Sequence, residues 1–181
     1  VKLSIRNGNA YYVLQGSQFT AKSPNGRTLT FIATKDTAVV YDNGSYVAKE
    51  IEIKEGTYKT VSYVVNTSDA TQRFVLPDYN ADTTTIEVRV QKSLADTTDA
   101  TRLWQQVTDL NKLSSDSYVY FLQYRDGVFE VYFGDGIVGK EPESGNVVTI
   151  KYLTTYGPEG NDIGKNESVN SPTFTYLGES D

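Results

Sequence analysis

Glycine-containing turn dipeptides are dense in this chain. Asn7-Gly8, Asn25-Gly26, Asn43-Gly44, Glu55-Gly56, Asp126-Gly127 and Gly145-Asn146 each separate apolar or β-branched runs. Asn-Gly and Asp-Gly accept positive φ at little cost, as two-residue type I′ hairpin turns require. The runs between them alternate. Ile86, Val88 and Val90 face one way and Glu87 and Arg89 the other, and Ile51 and Ile53 alternate with Glu50, Glu52 and Lys54. That is the period-2 pattern of a half-buried antiparallel strand. Strands are expected near 10–14, 18–22, 28–34, 37–41, 46–53, 57–66, 73–76, 85–91, 118–124, 128–133, 146–155 and 172–177. The fold class is therefore all-β and mainly antiparallel, with one or two sandwich-like modules, long loops and at most one short helix.

Segment 96–115 carries the one helical pattern. Leu103, Trp104, Val107 and Leu110 would share a helix face, with Asp99 as N-cap, and an irregular excursion fits the Thr, Asp and Ser content equally well. Thr67–Gln72 is polar and reads as a boundary. The expected organisation is an N-terminal β module over 1–66 and a second β module over 67–156. A loop-rich tail, 157–181, leads to a further domain or a returning strand.

Composition narrows the chemistry. The chain has 181 residues, 17 Lys+Arg against 23 Asp+Glu, a net charge of -6, and no His, Cys or Met. A basic nucleic-acid footprint is missing, and no apolar run reaches the roughly 18 residues of a membrane helix. Without Cys there is no disulfide framework or thiol nucleophile, and without His no Ser-His-Asp relay or histidine metal site. The start at Val1 in a chain without Met reads as an internal piece of a longer polypeptide.

Several motifs invite a chemical reading. Gly134-Asp135-Gly136-Ile137-Val138-Gly139-Lys140 fits G-x-G-x-x-G followed by Lys, after a strand. A phosphate-binding fingerprint needs a helix next, but Glu141-Pro142-Glu143-Ser144-Gly145 cannot open one. Gly134, Asp135, Gly136, Gly139 and Lys140 are read instead as a structural glycine loop. Asp126 and Gly127 form a hairpin turn between Tyr118–Tyr124 and Val128–Phe133. Tyr120, Leu122 and Tyr124 would then share one face and Val119, Phe121 and Gln123 the other. Both faces carry apolar bulk, so both should be buried or covered by a partner. Asp78-Tyr79-Asn80-Ala81-Asp82 begins like a calcium loop, but Thr83 stands where Gly is required and Arg89 where Glu is. Glu130, Asp135 and Glu141 lie close in sequence, as a carboxylate-only glycosidase would need. Alternation places Glu130 on the polar face as surface charge. No catalytic, cofactor-binding or metal-binding residue is assigned.

The run Tyr120-Phe121-Leu122-Gln123-Tyr124-Arg125-Asp126-Gly127-Val128-Phe129-Glu130-Val131-Tyr132-Phe133-Gly134-Asp135-Gly136-Ile137-Val138-Gly139-Lys140 is the most distinctive stretch. It continues through Glu143-Ser144-Gly145-Asn146-Val147-Val148-Thr149-Ile150 and Tyr152-Leu153-Thr154-Thr155-Tyr156-Gly157. This composite closely resembles baseplate wedge proteins of T-even-type contractile-tailed phages. Gln15-Gly16-Ser17-Gln18-Phe19 and Leu29-Thr30-Phe31-Ile32-Ala33-Thr34 are similar to the opening motif of the wider baseplate J-like group, and Ile53-Lys54-Glu55-Gly56 to its following strand and turn. Ser17 stands where that family usually has Thr. The resemblance spans roughly 15–157 and is strongest over 118–157.

The resemblance implies a structural, non-enzymatic role in the virion. The chain would be part of a wedge subunit in the tail baseplate, assembled in the host cytoplasm. Its partners would be other wedge proteins, with self-association of the full-length protein. No cofactor, nucleic acid, membrane or small-molecule substrate is implied. A carbohydrate-binding or adhesin-like β module is the alternative, and an open aromatic groove would favour it.

Overall fold

The structure, a computed structural model, describes residues 2–3, 11–23, 25–96, 102–158 and 174–178. It is all-β and mainly antiparallel. Its strands run in chain order as β1 (Lys2–Leu3), β2 (Tyr11–Val13), β3 (Gln18–Lys22), β4 (Thr28–Ala33), β5 (Thr37–Asp42), β6 (Ser45–Ala48), β7 (Ile53–Glu55), β8 (Thr57–Val64), β9 (Phe74–Leu76), β10 (Ala81–Gln91), β11 (Leu103–Gln106), β12 (Val119–Arg125), β13 (Val128–Phe133), β14 (Val147–Thr154) and β15 (Thr175–Gly178). Two compact units emerge: Val1–Thr57 with Thr155–Asp181, and Tyr58–Thr154.

The first unit stacks two four-stranded sheets, ordered β1-β6-β5-β2 and β15-β3-β4-β7. Alternation along β4 sends Leu29, Phe31 and Ala33 inward, where they meet Phe19 and Ala21 of β3 and Val13, Val39 and Ala48 of the facing sheet. Burying such a set is the main favourable term in holding two sheets together. The β5–β6 hairpin turns on Asn43 (φ 48) and Gly44 (φ 82), and Asp42 pairs with Ser45 across it. Two positive φ angles are the type I′ signature that Asn-Gly supplies. The C-terminal segment returns, and β15 pairs with β3.

The single strand expected over 46–53 is two strands. Glu50 takes φ 57 and breaks the run after Ala48. β6 pairs with β5 in one sheet and β7 with β4 in the other. Ile51 and Ile53 both still pack on the core between the sheets. The alternation was real, but the chain turns a corner of the sandwich within it.

Ser17 is fully buried and its hydroxyl has no hydrogen-bond partner. Its amide donates to the Leu14 carbonyl and its carbonyl accepts from Ala33 N–H, so the backbone holds this position without the side chain. An unpaired buried hydroxyl carries an uncompensated desolvation cost. Ser17→Ala is expected to leave stability unchanged or raise it by up to about 1 kcal/mol, measured by urea denaturation. A fall beyond about 1 kcal/mol would contradict this.

The second unit is one mixed sheet, ordered β8-β14-β10-β11-β12-β13-β9 and nearly closed on itself. Val88, Trp104, Tyr120, Val131, Val148, Ile150 and Tyr152 fill its interior. Side chains seal the seam between the two edge strands. The Tyr63 hydroxyl of β8 donates to the Val75 carbonyl of β9 at 2.6 Å. Gln72 donates from its amide nitrogen to the Val64 carbonyl and accepts from Asn66 N–H, both at 2.8 Å. The strand expected over 57–66 thus belongs to this sheet, and the unit begins before the polar 67–72 segment, at Tyr58.

From residue 102 onward, the segment expected to hold the short helix does not form it. Leu103–Gln106 is strand β11, parallel to β12, with Gln105 opposite Val119. Trp104 alone points inward, its ring edge-on to Tyr118 and Phe133 at 5.4 and 5.0 Å. Leu110, placed on the apolar helix face by periodicity, lies exposed in a single 3-10 turn, Leu110–Lys112, which Asp109 caps through the Asn111 amide. The proposed cap Asp99 lies outside the described residues. One large aromatic with a core to enter outweighs a loose helical spacing.

Candidate functional site

The most heavily organised loop in the second unit is Gly134–Lys140, which leaves β13. The Asp135 carboxylate accepts from Val138 N–H and Ile137 N–H, both at 3.0 Å. Those two bonds hold its acidity stronger than that of an ordinary aspartate. Gly136 N–H donates to the Gly139 carbonyl at 3.1 Å, closing the loop on itself. Gly139 N–H and Lys140 N–H donate to the carbonyls of Ser114 and Ser117, at 3.1 and 2.8 Å, anchoring it to the segment before β12. Gly136 and Gly139 adopt φ 78 and 84. A Cβ on Gly139 would stand 2.8 Å from Val119 Cγ2, and one on Gly134 would stand 2.2 Å from the Val138 carbonyl oxygen. The amides of residues 136–140, which a phosphate cradle would offer, are engaged by the Asp135 carboxylate and by the carbonyls of Gly139, Ser114 and Ser117, and no helix follows.

What the pinned loop presents is apolar. Ile137 is 77% exposed and Val138 42%. The loop's bonds thus fix two aliphatic side chains in solvent.

The Asp126-Gly127 turn forms as expected, with φ 53 and 84 and Arg125 opposite Val128. One face of the β12–β13 hairpin is core, with Tyr120 and Val131 buried in the interior and Leu122 packed against it. Tyr124, on the same face, projects exposed at the hairpin end beside Phe129. The other face is buried only in part: Phe121 and Tyr132 stack at 5.0 Å, with Tyr132 43% exposed. Apolar bulk lies on both faces as expected, one face forming core and the other partly exposed.

Glu130 departs most from expectation. It sits on the outward face, as alternation requires, yet it is only 5% exposed. Arg73 Nε and Gln123 Nε2 both donate to its carboxylate, and Arg73 Nη1 continues to Asp126 at 3.2 Å. Burial by itself would raise the Glu130 pKa, but the bonds from Arg73 and Gln123 outweigh it and hold the carboxyl below the usual glutamate range. Nothing local in sequence marks Arg73, which reaches Glu130 from 57 residues away. A glycosidase acid needs the opposite environment, one that keeps its proton near neutral pH.

Beside this ion pair runs an open groove of about 630 Å³. The 65–74 segment forms one wall and Gly134, Glu141 and Pro142 another, with Glu130 and Tyr132 on its floor. Glu130 and Glu141 thus share a groove, while Asp135 is engaged in its own loop. Asp78, from the calcium-like stretch, accepts from the buried Tyr152 hydroxyl at 2.6 Å. Among the described residues no three His, Cys, Asp or Glu converge as metal ligands.

No protein-family model and no curated protein sequence matches the chain.

Proposed function

We propose that this chain is a structural part of a phage tail baseplate wedge and works by holding other proteins. The observation that carries the reading is the Gly134–Lys140 loop, fixed by internal hydrogen bonds and by its Gly139 and Lys140 amides, and tipped with exposed Ile137 and Val138. Rigid apolar anchors surrounded by polar groups are where binding energy concentrates at protein interfaces. The resemblance over 118–157 supports the same reading, since its most distinctive residues build this loop. The ion-paired Glu130 is consistent with a scaffold, because it fixes β9 to β13 and has no proton to deliver at neutral pH. The partners would be other wedge proteins, and the setting the virion.

The test mixes the 181-residue chain with candidate tail proteins, followed by sizing and cross-linking mass spectrometry. Entry into a wedge-sized particle with cross-links from the 134–140 loop is the expected result. Exclusion from every tail assembly would overturn it. The groove favours one other reading, a carbohydrate-binding module, because it is open and exposes Tyr132, a ring on which a sugar could stack. A glycan array on the same protein decides that case. Binding lost in Tyr132→Ala would favour the sugar module over the scaffold.

A further inference from the structure

Charge is uneven in the groove beside Glu130. Three carboxylates line it, Asp69, Glu130 and Glu141, against two guanidiniums, Arg73 and Arg125. Both guanidiniums are engaged, Arg73 with Glu130 and Asp126, and Arg125 with Asp126 at 3.6 Å. Asp69 and Glu141 form no ion pair among the described residues. Asp69 Oδ1 accepts from the Thr71 hydroxyl and amide at 2.6 and 2.9 Å. Those bonds hold the carboxyl below the usual aspartate range, and Oδ2 is left uncommitted. Asp69 stands on the wall built by the 65–74 segment and Glu141 on the other wall.

Between those walls the floor carries an aromatic ring. Phe121 stacks against Tyr132 at 5.0 Å and 15°, which covers one face of the Tyr132 ring and sets its tilt, yet Tyr132 stays 43% exposed. An aromatic face attracts a cation to within about 6 Å of its centre. A guanidinium both stacks on a ring and pairs with carboxylates through its planar fork. A groove of about 630 Å³ falls in the range that takes a drug-sized ligand, roughly 300–1,000 Å³, so it holds a few residues of chain rather than a lone ion. A neutral glycan would cover two carboxylates without compensating them, and an acidic ligand would be repelled.

We propose that this groove binds an extended, arginine-bearing segment of a partner protein, its guanidinium laid on the Tyr132 ring between the carboxylates of Asp69 and Glu141. The inference rests on the reading of the chain as one that holds other proteins, and names the chemistry of what it holds.

Peptides tiling the candidate tail proteins are arrayed and probed with the full 181-residue chain. The peptides that bind should carry an arginine, and replacing it by glutamine should weaken binding. Tyr132→Ala and Glu141→Lys should each weaken binding about tenfold or more, the loss expected of a central anchor, and added salt should weaken it further. Glu141 is exposed, so Glu141→Lys should keep the melting temperature of the parent. Binding that ignores basic residues, or that both variants leave unchanged, would overturn the inference. Glycan binding abolished by Tyr132→Ala would overturn it too, because the occupant would then be a sugar. Entry of the chain into a tail assembly without binding any arrayed peptide would overturn the groove inference and leave the docking reading standing. Exclusion from every assembly would remove both.

Discussion

Glu130→Gln is expected to destabilise the second unit by about 2–4 kcal/mol, since it removes a buried charge from two charge-assisted hydrogen bonds. For a domain of this size that is a fall of at least about 8 °C in melting temperature. The reason is geometric. Arg73 and Gln123 both donate to the carboxylate, and one Arg73 nitrogen, Nη2, is already buried without a partner. Neutralising Glu130 leaves more of that guanidinium uncompensated. A double variant, Arg73→Met with Glu130→Leu, should recover much of the loss, because a well-packed apolar pair can replace a buried ion pair. The pH dependence follows from the lowered Glu130 pKa. Its stabilisation is complete above the unfolded value, near about 4.3, and is lost as pH falls through the folded value. Asp69, Asp135 and Glu52 are lowered too, so the measurement is a difference between parent and variant. Stability of the two should differ fully above about pH 5 and converge only as pH falls past the unfolded value and through the lower folded one. A parallel pair of pH profiles would show that the ion pair contributes nothing.

Glu130 also shows where the sequence stops being readable. Period-2 alternation places it outward, and outward it is. Its burial depends on an arginine 57 residues upstream, and no local pattern encodes that distance. The same limit explains β11. Leu103–Gln106 has a four-residue alternation with one apolar residue turned inward, and polar neighbours gave it no strand signal. Trp104 became a strand residue because Tyr118 and Phe133 were there to receive it. Features fixed by local chemistry were legible. Asn43-Gly44 and Asp126-Gly127 take the positive φ angles that two-residue turns demand, and the strand β3 has the expected bounds, Gln18–Lys22. Pro142 and Gly145 likewise announced that no helix follows the glycine loop. The loop's role was legible only in part. Its glycines were visible, but its exposed tip and its anchors at Ser114 and Ser117 depend on what the loop packs against.

The glycines of that loop should not respond alike to a single added methyl. At Gly136, φ 78 with no atom within 4 Å of a new Cβ makes the cost conformational only, about 1–2 kcal/mol for a left-handed alanine. Gly139→Ala adds a clash with Val119 Cγ2 at 2.8 Å, which a small side-chain shift relieves. Gly134 is different. Its new Cβ would meet backbone, the Val138 and Gly139 carbonyl oxygens at 2.2 and 2.4 Å. Backbone cannot step aside without opening the loop, and opening it forfeits the bonds to Ser114 and Ser117 and the internal Gly136–Gly139 bond. At about 1 kcal/mol for each bond lost, Gly134→Ala should cost about 3 kcal/mol, more than Gly136→Ala. The two variants also separate stability from docking. Gly136→Ala should keep the Ile137 tip in place and preserve association, whereas Gly134→Ala should abolish it even at temperatures where the protein stays folded. Amide hydrogen exchange at Gly139 and Lys140 reports the loop directly. Fast exchange in Gly134→Ala with slow exchange in Gly136→Ala is the expected result. Equal protection in both would mean that the close approach at Gly134 is not what shapes the loop.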